Sequence, residues 1–198
     1  MKKFIALVAL VLVGAAGTVM YAQEGDAATR RADRKAERDA ERAKLKAEEN
    51  VADMTAYQQA LQALKNKQFV LEANQVVFAD GQTAFVTSNT NFVMMNGSNA
   101  TVQVAFNTSR PGPNGIGGVT VNGTSSDMDL KIDKKGNVNC SFSIQGIGIS
   151  AQIFISLAYG SSSASLTVSP NFNNNQLTFN GNVVPLAQSN VFKGTPSW

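Results

Sequence analysis

Asp127, Asp129 and Asp133 alternate with Lys131 at every second position. On an extended chain such positions share one face. Carboxylates set side by side could hold a hard cation or divide the work of a general acid and a general base. Met128, Leu130 and Ile132 occupy the opposite face, so the acidic row is expected to point to water, with Lys131 as its counter-charge. Only Glu72 and Asp80 add carboxylates after residue 67, so a second set of ligands is scarce. Cys140 sits in step with Val138 and Phe142 and reads as a small core residue. A reactive thiolate would need exposure and a positive neighbour.

The chain has no histidine, which excludes Ser-His and Cys-His nucleophiles and removes the commonest metal ligand. A single cysteine excludes an internal disulfide framework and a cysteine zinc cluster. A Ser-Lys pair stays open through Lys131, Lys134, Lys135 or Lys193, but no spacing singles one out. Gly146-Ile147-Gly148-Ile149-Ser150-Ala151 matches the dinucleotide fingerprint. That chemistry needs a strand, a glycine turn and a helix N-terminus. Here the apolar alternation runs on through the motif, so the two glycines are expected to permit a bulge or a tight bend. No catalytic, cofactor-binding or metal-ligating residue is assigned, and no cofactor is expected.

The most unusual segment is Arg110-Pro111-Gly112-Pro113-Asn114-Gly115-Ile116-Gly117-Gly118. Its prolines stiffen the backbone and its glycines permit left-handed turns. No Gly-Lys-Ser/Thr follows, so it is not a phosphate loop. Arg110, Asn114, Gly115, Gly117 and Gly118 form a candidate binding loop at the mouth of a barrel or sandwich. The plainer reading is a long connection that must turn tightly. Glycan platforms stack sugars on exposed Trp or Tyr. After residue 67 there are only Tyr159 and Trp198, so a sugar site is disfavoured.

Two kinds of element must carry these residues. Residues 30–67 contain neither Gly nor Pro, and 30–49 is almost wholly Ala, Arg, Lys, Asp and Glu. This composition predicts a helix. Its inner stripe runs Ala32, Ala36, Ala40, Ala43, Ala47, Val51, Met54, Tyr57, Leu61, Leu64, at steps of three and four. Before residue 48 the stripe is alanine and can bury little. From Val51 onward it carries larger side chains, each bringing about 1.5–3 kcal/mol when fully buried. The second half of the helix is therefore expected to dock and the first half to stay solvated.

From Gln68 the period changes to two. The alternating sets are Thr90, Phe92, Met94; Val102, Val104, Phe106; Met128, Leu130, Ile132; Val138 to Ile144; Ile147 to Leu157; Leu166, Val168; and Leu177, Phe179. Turn signals stand at Asp80-Gly81, Asn96-Gly97, Lys134 to Asn137, Gly160 to Ser163, and Asn180-Gly181-Asn182. The expectation is an all-β domain over 68–198, an antiparallel barrel or sandwich of about ten strands. A charged N-terminal helix precedes it as a leader over 23–67.

The 198 residues carry a formal charge of +3. Lys2 and Lys3 supply two of these charges, and residues 68–198 hold five bases and five acids. No basic face for phosphate neutralisation survives, so nucleic acid is not expected as a partner. Lys2-Lys3, the apolar run Phe4 to Val13 and the small residues up to Ala22 read as a signal peptide over 1–22. No cysteine follows the apolar run, which excludes a lipoprotein. The mature chain is expected in the periplasm or outside the cell, with no stable membrane anchor after cleavage.

Several segments of the chain, taken in order, look familiar: the charged helix, Phe69 to Ala73, Ser88-Asn89-Thr90-Asn91-Phe92-Val93, Gly112 to Val121, Ser169-Pro170-Asn171-Phe172, and Ser189-Asn190-Val191-Phe192-Lys193-Gly194. Together they resemble the domain-of-unknown-function 4251 family, secreted proteins of Bacteroides-like bacteria. The resemblance spans about residues 30–195. It implies export and an all-β domain, and no catalytic residue comes with it. The expected function is a non-catalytic envelope module for binding or structure, with a small ligand or an envelope protein as partner. The alternatives are a hydrolase using carboxylates or a Ser-Lys pair, and an interaction protein that recruits its partner through the charged helix.

Overall fold

The computed structural model describes residues 18–106, 113–172 and 175–196. One helix, α1 (Thr18–Lys65), is followed by ten strands. These are β1 (Gln68–Phe78), β2 (Thr83–Phe85), β3 (Phe92–Asn96), β4 (Asn99–Ala105) and β5 (Gly118–Ser125), then β6 (Asp129–Ile132), β7 (Val138–Gly146), β8 (Ile149–Leu157), β9 (Ser163–Pro170) and β10 (Leu177–Pro185). The chain divides into two compact units, Met1–Glu48 and Glu49–Trp198. In the first, every side chain described, from Thr29 on, is exposed, as alanine and charge dictate. The second holds the last turns of α1 and all the strands.

Pairing runs antiparallel in the order β10-β9-β8-β7-β5-β4-β3-β1, and β10 pairs with β1 to close the ring. The domain is thus an eight-stranded barrel with two added strands, not a sandwich. The added strands share walls with longer partners. β1 pairs with β3 along Gln68–Glu72 and with β2 along Gln75–Val77. β7 pairs with β6 along Val138–Ser141 and with β5 only at Ile144 and Gln145. A bulge between Ala73 and Gln75 restores the inward phase of β1, so Phe69, Leu71 and Ala73 face the core, and then Val76 and Phe78.

The base of the barrel is where β1 begins. There Phe69, Leu71, Met95, Ile155 and Leu157 fill the interior, Phe142, Ile153, Leu166 and Phe179 continue it through the middle, and Tyr57, Ala60, Leu61, Ala63 and Leu64 of α1 join the same cluster. The Tyr57 hydroxyl donates to the Gly136 carbonyl at 2.5 Å, in the β6–β7 turn. Its ring meets Tyr159, beside the β8–β9 turn, edge to face at 5.3 Å. The helix ends with Lys67 in the left-handed region, at φ 54°, and the chain turns directly into β1. The second half of the helix docks as expected from Tyr57 to Leu64, but Val51, the first large residue of the stripe, stays 68% exposed.

Three details differ from the sequence reading. In β3 the core-facing residues are Val93 and Met95, not the alternate set containing Phe92 and Met94. Phe92 is fully buried all the same, because the outer face of β3 and β4 is also covered, and period alone cannot tell two covered faces apart. Asn180-Gly181-Asn182 is not a turn but the middle of β10. Gly181 is needed where β1 crosses so closely that a Cβ would overlap the Glu72 carbonyl. At Gly146 to Ile149 the strand does not run on. Gly146 pairs with Ile149 across a two-residue hairpin turn, with Gly148 at φ 79° and Ile147 at its tip. Strand-turn-strand offers no helix N-terminus to a pyrophosphate.

Candidate functional site

At the end opposite the helix, the inward residues become small. Val102 and Val104 come from β4, Val119 and Val121 from β5, Ala151 from β8, Val168 from β9, and Gly118 and Gly148 from the strand ends. Strands set around eight-fold closure leave an interior that side chains either fill or cede to one small ligand. Here they leave a cavity of about 430 Å³ that opens at the mouth. Phe78 and Phe106 stand on one side of it with ring centroids 5.7 Å apart, and Ile149, Pro170, Phe172 and Leu177 complete the lining. Among the described residues the lining carries no charge. Its one side-chain polar group, the Ser150 hydroxyl, accepts a hydrogen bond from Asn171 Nδ2 at 2.8 Å. Such a surface can bind by shape and dispersion.

The candidate loop leads into this mouth. Arg110 lies outside the described residues. Asn114 is buried, and its side chain is fully used within the protein. Its Oδ1 accepts from the Gly118 N–H at 2.9 Å and the Ile116 N–H at 3.1 Å, while Nδ2 donates to the Val104 carbonyl and the Thr120 hydroxyl, both at 3.3 Å. Gly115 and Gly117 have φ of 78° and 85°, the left-handed conformation that favours glycine. Gly118 faces the cavity, and a Cβ there would overlap the Val104 carbonyl. Of the described loop positions, Gly118 touches the site, and Asn114, Gly115 and Gly117 shape the loop that carries it.

The acidic row is dispersed. Lys131 Nζ pairs with Asp129 at 2.6 Å, and both are exposed. Asp127 is exposed and lies 3.7 Å from Lys67 Nζ. Asp133 caps the β6–β7 turn by accepting from Asn137 Nδ2 and from the Lys135 and Asn137 N–H groups. The bond from Asn137 chiefly holds its carboxyl below the usual range. Among the described residues no three His, Cys, Asp or Glu side chains gather to hold a metal. Cys140 faces the core from β7, and burial first, then Asp129, push its thiol up to about 12.

A buried polar network on the outer wall was not foreseen. Gln103 of β4 makes four hydrogen bonds, its full capacity. Nε2 donates to the carbonyls of Thr90 at 2.9 Å and Phe192 at 2.8 Å, and Oε1 accepts from Thr120 Oγ1 and Gly194 N, both at 2.8 Å. Nearby, Asn91 continues the ladder with its side chain, accepting from Ala105 N and donating to Ala105 O. The Thr195 N–H reaches the Asn114 carbonyl at 3.2 Å, and the Phe192 N–H reaches the Asn89 carbonyl at 2.7 Å. Segments 88–93, 112–121 and 189–194, three of those that carry the family resemblance, therefore meet on one wall as a clasp. Polar residues flanked by apolar ones on a strand were the available signal, but alternation alone assigns Gln103 to solvent.

The fold and cavity define an up-and-down antiparallel barrel closed at one end by a helix and open at the other. The family model for the domain of unknown function DUF4251 matches residues 52–183, and the chain belongs to that family. A crystal structure of a DUF4251 family protein from Bacteroides eggerthii DSM 20697 is 64% identical in sequence. The match covers 72% of this chain and 96% of that one, with a TM-score of 0.62. No curated protein matches the chain.

Proposed function

We propose that this protein is an exported, non-catalytic binding module whose barrel takes a small hydrocarbon-like ligand through its open end. The uncharged cavity of about 430 Å³, lined by Val, Phe, Ala and Gly, carries this reading. Its volume falls within the range of about 300–1,000 Å³ common to small-molecule sites. With no charged group among its described residues and one hydroxyl already engaged, the cavity favours an alkyl or isoprenoid chain over a sugar, a nucleotide or a peptide. Export rests on Lys2-Lys3, the apolar run to Val13 and the small residues before Gln23, with the periplasm or the exterior as destination. The balanced charge of residues 68–198 weighs against nucleic acid as a partner.

Titration with dansylundecanoic acid tests the reading. The expected result is saturable one-to-one binding, with dansyl emission shifted to the blue. Val104→Phe, which fills the cavity, should abolish it while the far-ultraviolet circular dichroism stays unchanged. Binding that is absent in the wild type, or equal in Val104→Phe, would overturn the assignment.

A further inference from the structure

Two large apolar side chains stand exposed on the rim of the mouth. Ile147, at the tip of the β7–β8 turn, is 77% exposed, and Phe172, just beyond β9, is 87% exposed. Neither is held out by accident of a loose chain end. Gly146 pairs with Ile149 beneath Ile147, and the Asn171 N–H donates to the Ser150 carbonyl at 2.9 Å beneath Phe172. The two tips thus stand side by side on adjoining strand ends, and Phe172 also lines the cavity. Around them the rim is polar but uncharged: Asn171, Asn175, Gln176 and Ser150. Asp80 is the one charged side chain among the described residues of the mouth loops. The described mouth loops therefore carry no basic patch, whereas Asp127 to Lys135 lie toward the base.

We infer that this mouth docks on the surface of a neutral lipid bilayer, with Ile147 and Phe172 inserted among the acyl chains and the amides at headgroup level. The inference rests on the reading of the cavity as a hydrocarbon site. A hydrocarbon chain is scarce in water and abundant in a membrane, so a barrel that collects one gains by meeting it there. Two exposed apolar tips continuous with the cavity give the chain a dry path between bilayer and barrel. Shallow insertion driven by apolar side chains without a basic patch does not depend on anionic lipid.

The test uses the full chain and phosphatidylcholine vesicles. An environment-sensitive fluorophore is attached through Ile147→Cys, and in a control through Lys135→Cys in the turn at the base. Cys140 is buried and stays unlabelled. The label at position 147 should brighten and shift to the blue on adding vesicles, equally in low and high salt, while the label at 135 stays unchanged. In a second arm, Ile147→Ser/Phe172→Ser should bind dansylundecanoic acid in solution as the wild type does, yet take it from vesicles about tenfold more slowly or worse. Vesicles that leave the label at 147 unchanged, a signal that appears on concentrating the protein without lipid, or wild-type transfer by the double variant would each overturn the docking. Loss of probe binding in solution by the wild type would instead overturn the cavity reading, and the label at 147 still reports on the rim.

Discussion

The base and the mouth of this barrel are made by the same strands, and they end in opposite conditions. At the base, large residues such as Phe69, Leu71 and Leu157 fill the bore, and α1 lays Leu61 and Leu64 over it. At the mouth, the same strands present Val102, Val121, Ala151 and Gly118, and no helix follows. Side-chain volume, not backbone geometry, decides which end is solid. The comparison teaches that a closed barrel needs only a few small residues at consecutive inward positions to turn its core into a container.

The sharpest way to break this contrast is to cut the same chemistry from both ends. Leu64→Ala at the base should cost about 2–5 kcal/mol in urea unfolding, because Leu64 is fully buried and the helix cannot collapse into the space. If that cost is below about 1 kcal/mol, the helix does not seal the base. The base should also respond to alkali. Cys140 ionises near 9 when unfolded but only at about 12 when folded. The folded state therefore keeps a proton that the unfolded chain loses, and the stability present below pH 9 declines as pH rises through that window. Tyr57 is raised in the same direction, chiefly by burial. Cys140→Ala should flatten part of that decline, and native Cys140 should resist thiol reagents that label the denatured chain.

Asn114→Ala asks whether the mouth is a built structure. It should cost about 1–3 kcal/mol and speed proteolysis in 106–118, since Val104 and Thr120 would lose a buried partner. The smallest effect is expected from Val104→Ala, at about 1 kcal/mol or less, since part of its side chain already faces open space. An effect equal to that of Leu64→Ala would mean the cavity closes in solution and the two ends are alike.

Much of the barrel could be read from the residues themselves. Val138 to Ile144 alternate without a fault, Ile149 to Leu157 alternate except at the exposed Phe154, and the turns at Gly81, Gly97 and Gly136 are glycines at positive φ. What could not be read depends on partners far along the chain. Gly181 reads as a turn residue because glycine serves both a turn and a close crossing, and only the register of β10 on β1 separates them. Phe92 and Val93 are both fully or nearly fully buried, so their order of apolarity carries no direction. The glycine loop was legible as special. Its use was not, because Asn114 meets Thr120 and Val104 only after β4 and β5 have paired.

The closure of the ring has a consequence for timing. β1 pairs with β10 from Phe69 opposite Pro185 to Phe78 opposite Leu177, and Gln103 waits for the carbonyl of Phe192 and the amide of Gly194. The first strand made pairs early with β3 and β2, but it can find its other neighbour only when the last has been made. Contacts this distant in sequence are slow to form and reward the chain only after a large loop has been closed. A growing copy of this polypeptide thus carries one unpaired edge on β1 until synthesis is almost complete. That delay makes truncation near the C-terminus a lesion of folding as a whole rather than of one end.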